Sequence, residues 1–235
     1  MLAKTRGIVL SAIKYSETSL ITKTYTSVFG LQSYIVKGAR AGKSKRAVLF
    51  QPGNILSMEV YHRESRGLAF VKECSLHHVY GSLRSDMRKG AIMLFLLEVM
   101  HAAIKEEEPN ALLYNFLESR LISLDTAPAD MCFHFRFMME LTQYLGFYPG
   151  SMPQGEYFFD LREGSFTMKL PEHRHVMSPE LCAKLREIMQ AEKVALSSTE
   201  RSLLLDKLLE FYRLHIPGFG TVRSHRVLSE VLAAR

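Results

Sequence analysis

The chain has 235 residues, and 47% of them are apolar, so it can bury one large domain or two to three small ones. Its net charge of +6 comes from the first third. Residues 1–82 hold 12 Lys and Arg against 4 Asp and Glu, whereas the remainder hold 18 against 20. This asymmetry predicts an anionic partner for the N-terminal part.

Cysteine usage and hydropathy indicate the compartment. Cys74, Cys132 and Cys182 lie far apart without a C-x-x-C pair, which argues against a disulfide framework or a zinc ribbon and predicts a reduced, cytoplasmic chain. The N-terminus lacks the long apolar region of a signal peptide. The most apolar run, 91–104, has 14 residues and includes Glu98 and His101, so we expect a buried helix and no membrane span.

Five short strands are predicted in residues 1–81, where β-branched and aromatic residues alternate with polar ones. They cover residues 5–15, 19–27, 31–37, 54–62 and 68–76. The connection between the third and fourth strands is the longest and includes a short helical turn at 47–50. This pattern predicts a small Greek-key barrel, an OB-fold, with an SH3-like barrel as the alternative.

The third strand continues into a basic loop at residues 37–46. Five cations and no acid occupy these ten residues, and small residues between them let the loop lie close to a bulky anion. The candidate DNA-binding residues are Lys37, Arg40, Lys43, Lys45 and Arg46. Such a loop suits a nucleic-acid backbone, because each neutralised phosphate releases condensed counterions. The alternative is a solvated charge run without a ligand.

Aromatic side chains and further cations extend this prediction over the barrel. The aromatic residues that can offer stacking faces to unpaired bases are Tyr15, Tyr25, Phe29, Tyr34, Tyr61 and Phe70. We favour Tyr34 as the exposed one, because it alternates with apolar neighbours and leads into Lys37. The cations that extend the basic face are Lys14, Lys23, Arg63 and Arg66.

Residues 82–235 are mainly helical. Helices are predicted at 86–104, 111–124 and 130–145, from Ser178, from the capping box at Ser197 to about 215, and at 224–233. The first is apolar nearly all round, which is typical of the centre of a bundle. A small hairpin is predicted at about 156–168. The predicted fold class is therefore α+β, with an N-terminal OB-fold barrel at 1–81 and a mainly α-helical domain at 82–235 that carries the hairpin.

No motif in the chain compels a reaction. Residues 38–44 form G-x-x-x-G-K-S, which is one residue short of a P-loop. His173 and His175 form H-x-H without a third ligand at a suitable spacing. The basic third has only four scattered acids, which is poor clustering for a metal-dependent nuclease. We therefore expect no enzyme activity, no metal and no cofactor.

Short motifs follow one another in a characteristic order. They are Gly7-Ile8-Val9-Leu10 with Tyr15-Ser16-Glu17-Thr18-Ser19-Leu20, Thr26-x-x-x-Gly30-Leu31, Val36-Lys37-Gly38-Ala39-Arg40, Leu49-Phe50-Gln51-Pro52-Gly53 and Val222-Arg223-Ser224-His225-Arg226-Val227-Leu228. This order resembles the RecO family of bacterial recombination mediators, almost from end to end.

The resemblance implies an OB-fold that binds single- and double-stranded DNA, followed by a helical domain. It also implies annealing of complementary strands, loading of RecA onto DNA coated by single-strand-binding protein (SSB), and partnership with RecR and the SSB C-terminal tail. Many members carry a four-cysteine zinc knuckle, but the matching region, about 150–167, has no cysteine. We therefore expect no zinc, and a hairpin held by Tyr157, Phe158, Phe159 and Phe166 instead.

Residues and resemblance together lead to one hypothesis about function. The chain is expected to be a non-enzymatic recombination mediator, cytoplasmic and associated with the nucleoid, whose basic loop binds DNA phosphates. The alternative is a protein-interaction adaptor whose basic barrel binds an acidic protein partner. Salt-dependent DNA affinity discriminates between the two.

Overall fold

The computed structural model describes residues 1–42, 46–62, 67–83, 85–105, 107–191 and 194–233. The chain divides into two compact units, Met1–Thr126 and Ala127–Arg235. The first unit contains the barrel and the next two helices, so the change from strands to helices does not coincide with the division into units. The domain boundary between residues 81 and 82 stays a prediction. Within the described residues, no helix is long and apolar enough to cross a membrane.

The strands and helices follow the predicted order. In the first unit they are β1 (Leu2–Lys14), β2 (Leu20–Thr26), β3 (Gly30–Val36), α1 (Arg46–Leu49), β4 (Ile55–Tyr61), β5 (Ala69–Leu76), α2 (Met87–Ala103) and α3 (Ala111–Thr126). In the second they are α4 (Phe133–Leu145), β6 (Phe158–Asp160), β7 (Ser165–Thr167), β8 (Val176–Met177), α5 (Pro179–Gln190), α6 (Ser198–His215) and α7 (His225–Ala233). Strand β8 has no counterpart in the predictions, because two residues are too few to show an alternating pattern.

The five strands of the first unit close into a barrel in the order β1-β2-β3-β5-β4. Neighbouring strands are antiparallel except β3 and β5, which are parallel and pair Tyr34 with Ala69 and Ile35 with Phe70. This is the OB-fold topology, so the predicted fold class is confirmed against the SH3-like alternative. Tyr34 and Phe50 belong to the barrel core, each at most 1% exposed.

Helix α2 begins after Asp86, whose side chain accepts hydrogen bonds from the backbone N–H groups of Arg88 and Lys89. The helix packs on the barrel, where Met93 and Leu97 lie over Gly53. The expectation of a central bundle helix is wrong, because α2 packs on strand β1 of the barrel and on helix α3, and its Leu94 stays 50% exposed. A barrel wall buries an apolar helix as well as other helices do.

Helix α3 is tied to the barrel by a nearly buried carboxylate. Nη1 of Arg6, on β1, lies 2.7 Å from Oε2 of Glu118, and the Tyr114 hydroxyl donates to Oε1 of Glu118 at 3.0 Å. These two partners offset the cost of removing the carboxylate from water. Tyr114 also stacks on Tyr25 of β2, with ring centroids 6.4 Å apart. The contacts hold α3 against β1 and β2.

A second carboxylate, Asp125 at the end of α3, organises the connection between the barrel and α2. It accepts hydrogen bonds from the backbone N–H groups of Gly81, Ser82 and Leu83 at 2.9–3.0 Å. Lys89, only 5% exposed, donates to the backbone carbonyl of Asp125 at 2.7 Å. Burial raises the pKa of Asp125, but the backbone N–H donors outweigh this effect and hold the pKa at about 2.

The second unit packs its hairpin against helix α6. Phe159 of β6 stacks on Phe166 of β7 with ring centroids 4.8 Å apart, and meets Phe211 of α6 edge-on at 5.0 Å. The buried Tyr212, also on α6, donates its hydroxyl proton to the Met138 carbonyl of α4 at 2.7 Å. Aromatic packing and this bond join the hairpin, α6 and α4.

Gly30 is a point of close approach between the barrel and the segment that follows α2. Its φ of 61° lies in the left-handed region. A Cβ at this position would lie 2.4 Å from the Glu108 carbonyl oxygen and 2.6 Å from the Glu107 carbonyl oxygen. Both oxygens belong to the backbone, so no change of rotamer relieves the contact. The site therefore requires glycine.

We predict that Gly30→Ala lowers the free energy of unfolding by about 3 kcal/mol or more, because a backbone clash adds to the left-handed strain. Gly38→Ala is the matched control. Its φ is 66°, but a Cβ there meets nothing within 4 Å, so strain alone should cost about 1 kcal/mol. Urea unfolding followed by circular dichroism measures both losses. Equal losses would contradict the clash.

We predict that Asp125 makes stability sensitive to acid. Its folded-state pKa of about 2 lies below the ordinary value near 3.8, so its contribution is complete above pH 4 and is lost as the pH falls through about 2. Between about pH 5 and 2 the wild type should therefore lose more unfolding free energy than Asp125→Asn, which cannot titrate. At neutral pH the variant should be less stable by about 1–3 kcal/mol. Urea unfolding at each pH measures the free energy of unfolding. If this free energy fell equally with pH in the wild type and in Asp125→Asn, the proposed role of Asp125 would be refuted.

Candidate nucleic-acid interface

An apolar row crosses the outer face of the barrel. Its members, each paired in register with the next on the neighbouring strand, are Ile13, Ile21, Ile35, Phe70 and Tyr61. Residues directly opposite each other on paired strands face the same side of a sheet. Tyr61 is 47% exposed and Ile13 is 62% exposed, and the other three are half-buried. The row therefore offers a continuous apolar surface with two aromatic rings.

Two predicted DNA-binding residues, Lys37 and Arg40, lie exposed on one side of the apolar row. The Lys37 ammonium lies 4.6 Å from the centroid of the Phe70 ring, in a cation–π contact. The Arg40 backbone N–H donates to the Thr18 carbonyl at 2.9 Å, and its Nη1 donates to the Ser16 carbonyl at 3.4 Å. Arg40 thus ties the basic loop to the β1–β2 loop, with its remaining N–H groups available to an anion.

Arg46, at the other end of the basic loop, is half-buried and makes a structural contact. Its Nη2 donates to the Lys72 carbonyl of β5 at 2.6 Å, which holds the start of α1 against that strand. Burial raises the pKa of the Cys74 thiol, and Arg46 partly offsets this rise because its guanidinium lies beside the sulfur. A role for Arg46 in phosphate binding stays a prediction.

The prediction that Tyr34 is exposed is wrong. Its side chain is 0% exposed and belongs to the barrel core. Alternation along β3 turns Tyr34 inward together with Val36, and turns Lys37 outward. Burial also raises the pKa of the Tyr34 hydroxyl. Of the other sequence candidates, Tyr15 is 58% exposed and Tyr61 is 47% exposed, and the half-buried Phe70 lies next to Tyr61 in the apolar row.

The remaining predicted cations divide into two groups. Those outside the described residues are Lys43, Lys45, Arg63 and Arg66. Lys14 and Lys23 are described and exposed. Lys23 pairs with Ser33 on β3, two residues from the apolar row, and lies on the side of the row away from Lys37. Cations therefore flank the row on both sides.

A cavity of about 760 Å³, here called the β2–α2 cavity, opens beside Lys23 on the outer face of β2 and β3. His101 at the end of α2, Lys105 and Glu107 also line it. Burial and the charges of Lys23 and Lys105 lower the pKa of His101, while Glu98 acts in the opposite direction. The charges of Lys23 and Lys105 thus act at the same place, beside His101, and together they favour an anion at this position.

Part of the cavity wall is aromatic. The rings of Phe29 and His62 stack with centroids 3.9 Å apart and planes 11° apart. Leu31 and Leu68 line the same space. The β2–α2 cavity thus combines cations with a flat apolar surface. Sequence reasoning named Phe29 and Lys23 but missed His62, His101 and Lys105, because the last two come from the helical segment that follows the barrel.

Fold and surface together define an OB-fold protein with cations and aromatic rings on the outer face of its barrel, and comparisons with known proteins give the family. The family model described as "Recombination protein O N terminal" matches residues 1–80, and the one described as "Recombination protein O C terminal" matches residues 84–224. The chain is 37% identical over 242 residues to the DNA repair protein RecO of Flavobacterium psychrophilum, covering 99% of this chain and 100% of that protein. It is 35% identical to the DNA repair protein RecO of Bacteroides fragilis, covering 98% and 99%.

The chain therefore belongs to the recombination protein O family, as the order of its sequence motifs predicts. This membership supports a role in DNA repair and recombination.

A zinc knuckle of the kind found in many family members does not fit the residues of this chain. Residues 150–167 have no cysteine. Cys132 and Cys182 are buried, and each thiol lies 3.8 Å from a backbone carbonyl to which it donates. Burial raises the pKa of Cys182 to about 12, which disfavours the thiolate that a metal requires. In the part of the chain that the structure describes, no group of three or more His, Cys, Asp or Glu side chains is arranged to hold a metal ion.

Proposed function

We propose that this chain is a non-enzymatic recombination mediator that acts on chromosomal DNA in the cytoplasm. It binds single- and double-stranded DNA, anneals complementary strands, and helps load RecA onto SSB-coated DNA. RecR and the C-terminal tail of SSB are its proposed protein partners. Family membership supports the role in repair, and the barrel surface supports the DNA contact.

The observation that carries the proposal is the placement of cations on both sides of the apolar row. Lys37 and Arg40 lie on one side and Lys23 on the other, with Phe70 and Tyr61 between them. A single strand laid across the row brings phosphates to the cations and bases to the rings, which are the two contacts that single-strand binders use. Phosphate contacts carry no sequence information, so the surface suits annealing of any sequence.

Charge neutralisation supports strand annealing on the same surface. Two DNA strands repel each other because every phosphate carries a negative charge, and the repulsion weakens where basic side chains replace the counterions. The excess of cations is confined to residues 1–82. The barrel is therefore the part of the chain proposed to bring strands together.

We predict that a basic-loop variant loses both affinity and salt sensitivity toward single-stranded DNA. The variant is Lys37→Ala/Arg40→Ala/Lys43→Ala/Lys45→Ala, and Arg46 is kept because it holds β5. Each lost phosphate contact flattens the dependence of log affinity on log salt by about 0.7, so four lost contacts flatten it by up to about 3. Fluorescence anisotropy of a labelled oligonucleotide across a salt series measures both quantities.

A matched control removes four exposed cations from the second unit: Arg162→Ala/Lys169→Ala/Arg174→Ala/Arg213→Ala. This control changes the net charge by the same amount as the basic-loop variant. It should keep most of the affinity for single-stranded DNA and most of the dependence of log affinity on log salt. Equal losses in the two variants would show that only net charge matters. Unchanged binding by the basic-loop variant would place DNA elsewhere. Absence of binding by the wild type at low salt would favour the adaptor, whose barrel binds an acidic protein.

We predict that Tyr61→Ala weakens binding of single-stranded DNA about tenfold, because one stacked base is lost. Tyr61 is 47% exposed, so its removal should leave the barrel folded. Double-stranded DNA should be affected less, since its paired bases offer no free face. Tyr148→Ala, which removes a 39% exposed ring from the second unit, is the control. An affinity for single strands equal to that of the wild type would exclude Tyr61 from the site.

A further inference from the structure

The β2–α2 cavity has features that a backbone-binding surface does not need. We propose that it is a binding site for a nucleoside 5′-phosphate, free or at the end of a DNA strand. The phosphate lies between Lys23 and Lys105, and the base packs against Phe29 and His62. The strand-end form rests on the proposed function, whereas the site itself is separate from the basic loop.

The phosphate part of the site depends on cations from two parts of the fold. Lys23 comes from β2 and Lys105 from the segment after α2, and the cavity brings them together with His101. Burial is the first cause of the lowered pKa of His101, and the charges of Lys23 and Lys105 add to it, so both ammonium groups act on the same part of the cavity and attract an anion there. A phosphomonoester carries nearly two negative charges at neutral pH, and it matches two lysines better than a phosphodiester with one charge.

The base part of the site is the stacked pair Phe29 and His62, with Leu31 and Leu68 beside it. Flat rings and apolar side chains accept any base through its π-face, without selecting a sequence. The volume of about 760 Å³ is within the range of about 300–1,000 Å³ for small-molecule sites, and therefore suits one nucleotide.

The cavity also lies where a bound strand would reach it. Lys23 is on the same outer face as Ile21, two residues along β2 from the apolar row. A DNA strand that crosses the apolar row from the Lys37 side reaches Lys23. Its terminal phosphate then enters the cavity while the adjoining bases stack on the apolar row.

The experiment is isothermal titration calorimetry of the full chain with thymidine 5′-monophosphate, thymidine and inorganic phosphate. The monophosphate should bind with a Kd on the order of 0.1 mM, as expected for a ligand of this size. Thymidine and inorganic phosphate each lack half of the contacts and should bind at least tenfold more weakly. Absence of monophosphate binding by the wild type at millimolar concentration would overturn the proposal.

Three variants test the assignment of residues. Lys23→Ala/Lys105→Ala should weaken monophosphate binding at least tenfold, and Phe29→Leu should weaken it without changing the weak binding of inorganic phosphate. Glu107→Gln removes a negative charge from the cavity wall and should strengthen binding about threefold. The control, Lys4→Ala/Lys169→Ala, removes two exposed lysines from outside the cavity. If Lys23→Ala/Lys105→Ala and the control bound the monophosphate with equal affinity, the assignment of the site to the cavity would be overturned.

The two sources of the ligand are separated with a pair of oligonucleotides that differ only in a 5′-phosphate. Tighter binding of the phosphorylated oligonucleotide, lost in Lys23→Ala/Lys105→Ala, assigns the site to strand ends. Equal binding of the two, with the monophosphate still bound, assigns it to free nucleotide.

The same set distinguishes the two proposals of function. Oligonucleotide binding without monophosphate binding would refute the cavity site and leave the mediator standing. Monophosphate binding without oligonucleotide binding would refute the proposed mediator function and leave the cavity site standing.

Discussion

A short parallel pairing closes the barrel, and the rest of the first unit depends on it. Only two residue pairs join β3 to β5, Tyr34 with Ala69 and Ile35 with Phe70. The first pair points into the core, and the second belongs to the apolar row on the outside. By bringing β5 beside β3, the pairing also places the Phe70 ring under the Lys37 ammonium. Barrel closure and the proposed DNA surface therefore have the same physical origin.

The two sides of the apolar row contribute differently to binding. Lys37 and Arg40 lie at loops, where exposed cations act mainly through long-range charge that salt screens. Lys23 is also exposed, but it lies on a strand at the β2–α2 cavity, where the Lys105 ammonium adds a second positive charge that acts on the same anion. The loop side is suited to capture a backbone of any sequence, and the cavity side to hold one nucleotide in a fixed position.

The sequence predicts local structure well, because strand alternation, helix caps and turn residues are local signals. The capping Ser197 and the N-cap Ser178 begin helices as expected. Tyr34 shows the limit of this local prediction. Alternation places Tyr34 and Lys37 on opposite faces of β3, but it does not decide which face is buried, because both faces contain apolar and polar residues. The deciding clue is the cation, since Lys37 must face water and Tyr34 lies on the other face. The sequence could not predict the β2–α2 cavity, because residues 82 positions apart, Lys23 and Lys105, line it together.

The contact at Gly30 shows how that long-range meeting is fixed. The carbonyls of Glu107 and Glu108 lie so close to Gly30 that the segment after α2 can approach β3 only where a side chain is absent. This approach keeps Lys105 and Glu107 in the wall of the cavity that Lys23 enters from β2. A bulkier residue at position 30 would displace the segment and separate the two lysines. The glycine therefore serves the fold and the proposed nucleotide site through the same backbone contact.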